Sequence, residues 1–208
     1  MSRSQIASPV DLAKTVVFAA FIAVLGIFPG IYVGSSGVPI VLQNIGPLLA
    51  GGILGPRRGT ASVVLFLGLT AIGLPLLSGG RGGIAPFIGP SGGFLLGWIL
   101  SALVTGLIVT RARRVGLPVL LLASAAGLVV DYLIGVPFLG LYTGDLPAAA
   151  VQSLVFLPGD AAKVVAASLI ASVVHRALPS QLPGSRNSPD AGPGPGEADE
   201  TGEIAANT

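Results

Sequence analysis

The chain has 208 residues, 52% of them apolar and only 10% charged, with a mean hydropathy of +0.87. Soluble domains carry about 25% charged residues, so this composition excludes a water-covered surface and indicates a helical integral membrane protein. With no cysteine, one histidine (His175) and a net charge of only +2, the chain excludes thiolate chemistry, zinc fingers, iron–sulfur ligation and a histidine-based relay, and argues against nucleic acid.

Crossing about 30 Å of hydrocarbon takes roughly 20 apolar residues. Such runs number six in chain order: Leu12–Phe28, Ile40–Leu54, Gly59–Leu77, Gly92–Thr110, Leu117–Tyr142 and Pro158–Ala177. The expected fold is therefore all-α, a polytopic membrane protein with six transmembrane helices. Span one carries Ala19-x-x-x-Ala23, a flat strip of small side chains suited to close helix approach. Its apolar run leads into Phe28-Pro29-Gly30 without a small-residue cleavage site, so it reads as a retained helix rather than a signal peptide. The second run is short, so part of its backbone is expected inside protein rather than lipid. At its mouth stand Gln43 and Asn44, amides that read either as interfacial caps or as ligand contacts.

The loop from Ser78 to Gly93, rich in glycine, has little bulk and suits a segment that approaches a small ligand closely. Arg81 is its only charge, either simply exposed or aimed at a ligand carboxylate. Residues Pro147–Phe156 read as a short helix before the last span. Nine of the eleven basic residues fall on one side of a six-span arrangement: Arg3, Lys14, Arg57, Arg58, Arg111, Arg113, Arg114, Arg176 and Arg186. The positive-inside rule makes that side, and both termini, cytoplasmic. After residue 178 hydropathy collapses, and Asp190, Glu197, Asp199, Glu200 and Glu203 make residues 179–208 an acidic Pro/Gly-rich tail, expected to be disordered. The expected division is thus a membrane domain over 1–178 and a tail over 179–208.

Ionisable groups within a membrane segment cost at least a few kcal/mol each, so they mark function. Asp160 and Lys163 lie three apart at the start of span six, on one face of its first turn. Asp160 complements the helix dipole there, whereas Lys163 opposes it and needs an anionic partner, either Asp160 or a ligand. Asp131, near the middle of span five beside Tyr132, either pairs with Lys163 and lines the same cavity or makes a buried hydrogen bond. His175 reads as a cation at a helix C-terminus.

Several motifs fall in order: Leu42-Gln43, Leu49-Ala-Gly-Gly-Ile-Leu-Gly-Pro-Arg-Arg-Gly59, Gly73-Leu-Pro75, Gly89-Pro-Ser-Gly-Gly-Phe-Leu-Leu-Gly97 and Pro158-Gly-Asp-Ala-Ala-Lys163. Together they closely resemble the BioY family, the biotin-specific substrate-binding (S) components of energy-coupling factor (ECF) transporters, over residues 10–177. The resemblance implies six membrane helices around a biotin cavity, with Asp160 and Lys163 at ligand-binding positions and Ser91 and Gly92 in the neighbouring motif. It also implies that Ala19 and Ala23 form the surface that docks on a transmembrane coupling (T) subunit, itself joined to ABC-type ATPase subunits. Ser91 stands where the family usually has Thr, and Phe94 and Phe66 where it usually has Tyr. The site expected for biotin comprises Asp160, Lys163, Asp131, Gln43, Arg81, Ser91 and Gly92.

No cofactor or metal is expected, and no G-x-x-x-x-G-K-[ST] occurs, so ATP would bind partner subunits only. A self-sufficient carrier, or an S component for another small vitamin, is the competing reading. No inverted repeat is evident in the sequence. An enzyme is disfavoured, because cysteine is absent and the one histidine lies at the cytoplasmic helix end.

Overall fold

The computed structural model describes residues 9–32 and 37–178, and these are mostly helical. The helices are α1 (Pro9–Leu25), α2 (Ile45–Ala71), the short α3 (Ala85–Ile88), α4 (Gly92–Arg111), α5 (Leu117–Thr143), α6 (Leu146–Ser153) and α7 (Leu157–Ala177). A 3-10 turn, Leu154–Phe156, joins α6 to α7. Two short antiparallel strands, β1 (Ile31–Tyr32) and β2 (Pro39–Ile40), link α1 to α2. Arg3 and the acidic tail lie outside the described residues.

Helix α2 is two arms rather than one rod. Gly55 takes φ +79° and ψ −177°, a conformation that breaks the helix, and Pro56 follows it. In a straight helix residues 50 and 59 would stand about 13 Å apart. Instead there is no room for a side chain on Gly59 against the Ala50 carbonyl. The arms 45–54 and 56–71 therefore run back along each other, as two separate apolar runs in the sequence require.

The reversal leaves a debt that α7 settles. In an unbroken helix the Gly52 carbonyl would accept from residue 56, but Pro56 has no N–H. His175 near the end of α7 fills the gap, its Nε2 donating to Gly52 O at 2.8 Å. The ring thus acts as a carbonyl cap near the end of α7. His175→Leu should lower stability by about 1–3 kcal/mol by orphaning that carbonyl, while His175→Gln keeps a donor and should retain most of it. Equal thermal melting of all three proteins in detergent would refute this role. At the same end of the molecule, Arg58 pairs with Asp11 of α1 at 2.7 Å.

Three helical stretches, Gly92–Arg111, Leu117–Thr143 and Leu146–Ala177, are long and apolar enough to cross a membrane. The other three expected spans are helical but fall short, because α1 has only 17 residues and the break at Gly55 divides α2 beside Arg57 and Arg58. Large apolar side chains face outward all round, among them Val17, Leu122, Leu133, Leu141 and Val173. Such a surface suits lipid rather than water.

Helix α4 is the central post, packed against both arms of α2 and against α5. Glycines make the approach close: a Cβ on Gly51 would strike the Ala102 carbonyl, and one on Gly106 the backbone of Pro56. The small strip on α1 is also used internally. Ala19 is buried in a cluster with Ile22, Ala50, Val63 and Phe66, and Ala23 is partly buried against the same cluster. Ala19 thus faces α2 and is covered by this chain's own side chains, while Ala23 stays partly exposed. Phe66 stacks on Trp98 with centroids 6.3 Å apart and is fully buried, a place that needs no hydroxyl.

Candidate functional site

The starts of α2 and α7, the middle of α5 and the first turns of α4 converge on one cavity. Its polar wall is built on Asp160. The Pro158-Gly159 pair opens α7, a position where proline's fixed φ and missing N–H cost nothing, and places Asp160 in the first turn. Asp160 is 4% exposed and fully engaged. Its Oδ1 accepts from Lys163 Nζ at 2.8 Å and from Asn44 Nδ2 at 2.9 Å, and its Oδ2 accepts from Tyr132 Oη at 2.7 Å. One carboxylate thereby gathers α2, α5 and α7. Lys163 retains two further N–H groups for a ligand.

Two acceptor atoms on the same wall have no donor among the described residues: Asn44 Oδ1 and Asp131 Oδ1. Asp131 is 4% exposed. It nests against α4 because Gly97 has no side chain: a Cβ there would overlap Asp131 Oδ1 and lie 3.1 Å from its Cα and carbonyl. The remaining walls are apolar, including Val38, Leu77, Trp98 and Phe156. Phe94 meets Tyr132 and Phe156 edge-on, with centroids 6.1 and 6.3 Å away.

The outer edge is the turn between α2 and α3. Leu77 and Arg81 exchange backbone bonds of 3.0 and 3.2 Å around Gly79 and Gly80, both in the left-handed region. Arg81 lines the cavity, with its Nε donating to Ser78 O at 3.2 Å. The glycine-rich segment is thus a hydrogen-bonded turn followed by a helical turn, rather than a bare loop.

Comparison with known proteins agrees with this architecture. The family model for the BioY family matches residues 1–180. The chain belongs to the BioY family. It is 46% identical over 179 residues to the biotin transporter BioY of Rhodobacter capsulatus, covering 79% of this chain and 93% of that protein. It is 43% identical over 177 residues to the biotin transporter BioY of Rhizobium etli, covering 81% of this chain and 95% of that one. Among solved structures it resembles the S-component for biotin from an ECF-type ABC transporter, with TM-score 0.78, 35% identity, and coverage of 85% of this chain and 95% of the other.

In this BioY chain the fold brings together Asp160, Lys163, Asp131, Arg81, Ser91 and Gln43 around one cavity. Their roles differ from one another. Asp131 makes no ion pair with Lys163, whose partner is Asp160. Ser91 is buried, its hydroxyl 3.4 Å from Pro86 O. Gln43 borders the cavity with an amide already committed to the protein, as described below. Gly92 does not line the cavity; it packs where a Cβ would strike the Phe87 carbonyl and lie 3.1 Å from Phe138 Cε1. Sequence reasoning left out Tyr132, Trp98 and Asn44 as cavity residues and chose Gln43 of the two adjacent amides. For Tyr132 a signal existed, since a phenol at the middle of an apolar helix needs a hydrogen-bond partner.

Proposed function

We propose that this chain is the biotin-binding subunit of an uptake system in the cytoplasmic membrane, holding biotin in the cavity around Asp160. It is a transport subunit and not an enzyme. The observation that carries the reading is the buried Asp160–Lys163–Tyr132–Asn44 network at the cavity wall of a chain whose relatives are named biotin transporters. Biotin offers two ureido N–H donors, an apolar sulfur-containing ring and a carboxylate tail. The two donor-less acceptors, Asn44 Oδ1 and Asp131 Oδ1, match a ligand that brings a pair of N–H groups. Phe94, Trp98 and Phe156 supply apolar walls, and Arg81 and Lys163 supply positive charge for the carboxylate. A mostly apolar cavity with a few converging polar groups suits a small ligand.

The same reading assigns six membrane-crossing segments, the two arms of α2 counting as two, with both termini cytoplasmic. Support comes from the gathering of Arg57, Arg58, Arg111, Arg113, Arg114 and Arg176 at the helix ends that this topology puts inside. Energy would come from ATPase subunits acting through a transmembrane coupling protein, as the ECF-type likeness implies. The solitary-carrier reading finds no such support.

Calorimetric titration of the purified protein with biotin tests the proposal, with desthiobiotin and unrelated vitamins as controls. Saturable biotin binding is expected. Its absence would overturn biotin as the ligand. Lys163→Ala should weaken binding by on the order of 2–5 kcal/mol if the ammonium pairs a desolvated charge. Unchanged affinity would remove Lys163 from the site.

A further inference from the structure

We propose that Gln43 is a positioning residue that holds the Arg81 guanidinium at the cavity, and so sets the preference for a carboxylate-bearing ligand over its neutral counterpart. This rests on the biotin reading above. A glutamine amide has two N–H donors and two acceptor lone pairs. In Gln43, fully buried, all four are used. Nε2 donates to Ile22 O at 3.0 Å and Leu76 O at 2.8 Å. Oε1 accepts from Ser78 N at 2.8 Å and Ser78 Oγ at 3.3 Å. No capacity is left for a ligand, although the side chain borders the cavity.

What these bonds hold is more telling than their number. Gly26 N turns to Ala23 O, leaving Ile22 O free at the end of α1 for Gln43 to take. The other three bonds grip residues 76 and 78, where the Arg81 turn begins. Ser78 O in turn accepts from Arg81 Nε, and Leu77 and Arg81 are bonded through their backbones. The root of the guanidinium is thus fixed on both sides by one chain of bonds, Gln43 to Ser78 to Arg81. Its terminal nitrogens make no ion pair among the described residues. Gly26 leaves space for the clasp, since a Cβ there would sit 2.6 Å from Gln43 Nε2. An arginine ordered before the ligand arrives loses less entropy on binding it.

The test compares biotin with biotinamide, in which the carboxylate is replaced by a neutral amide. Affinities are measured on the full chain as wild type, Arg81→Ala, Gln43→Met and the double variant. Arg81→Ala should cut the biotin-to-biotinamide affinity ratio by about tenfold or more. Gln43→Met should cut the same ratio by at least about threefold, and the double variant should be no worse than Arg81→Ala alone, because both act through one group. If Gln43→Met weakens both ligands equally, or lowers the ratio as much without Arg81 as with it, the proposal is overturned. It is also overturned if Arg81→Ala leaves the ratio intact. Should Gln43→Met not fold, hydrogen exchange in the wild type decides. Biotin should slow exchange of the Ser78 and Arg81 amides more than biotinamide does, and equal effects overturn the proposal. A wild type that binds neither ligand would instead defeat the biotin reading itself.

Discussion

Asp160→Ala is expected to abolish high-affinity biotin binding and to lower stability by about 3–5 kcal/mol, the range for breaking a buried ion pair from one side. The carboxylate is 4% exposed and receives hydrogen bonds from Lys163, Asn44 and Tyr132. Its removal strands three donors at once, one of them an ammonium whose side chain is only 12% exposed. The two losses can be separated. Replacing a buried pair by apolar groups is often neutral for stability, so Asp160→Ala combined with Lys163→Met should recover much of the melting temperature. Binding should stay lost, because the ligand's charged and polar partners are gone. Thermal melting in detergent and calorimetric titration, run on the single and double variants, check both halves. A single variant that melts with the wild type would show that the network does not hold α2, α5 and α7 together.

The second large effect is expected from a residue that touches no ligand. Gly97→Ala adds one carbon, yet it would overlap Asp131 Oδ1 and crowd that residue's backbone at 3.1 Å. Neither α4 nor α5 yields easily there, because Gly93 and Gly135 pack against Phe138 and Phe94 nearby. Overpacking of this kind costs about 1–3 kcal/mol, and the separation falls on the cavity wall, so biotin affinity should drop with stability. Combining Gly97→Ala with Asp131→Ala should restore part of the stability by removing the side-chain overlap, while the backbone crowding persists. Full recovery, or none, would show that only one of the two contacts matters. Thermal melting of the three variants distinguishes these outcomes.

The helices and the acid–base pair were legible in the sequence because each follows from a local rule. Apolar runs mark the buried segments, and the spacing of Asp160 and Lys163 places them together whatever the rest of the chain does. The bond between them is present at 2.8 Å. Gln43 and Asn44 show where local rules stop. Adjacent residues at a helix start diverge by about 100°, so one amide turns into the α1–α2 junction and the other toward Asp160. Nothing in the order Gln-Asn says which is which. Ala19 and Gly92 show a related limit: a small residue announces a close approach but not the identity of the neighbour. At Ala19 that neighbour is the chain's own α2, and at Gly92 it is Phe87 and Phe138. The bond His175 makes was not legible, because its acceptor exists only through Pro56, more than a hundred residues earlier in the chain.

The glycines along α4 and its neighbours carry one more implication, for how such a chain can change over generations. Gly51, Gly97, Gly106, Gly127 and Gly135 each meet another helix where even a methyl group would overlap it. On the outward faces, by contrast, Val17, Leu122 and Leu133 meet only surroundings in which one apolar side chain serves as well as another. Mutational drift is therefore channelled: the greasy exterior is free to exchange Leu, Val and Ile, while the interior seam admits almost nothing but hydrogen at Cα.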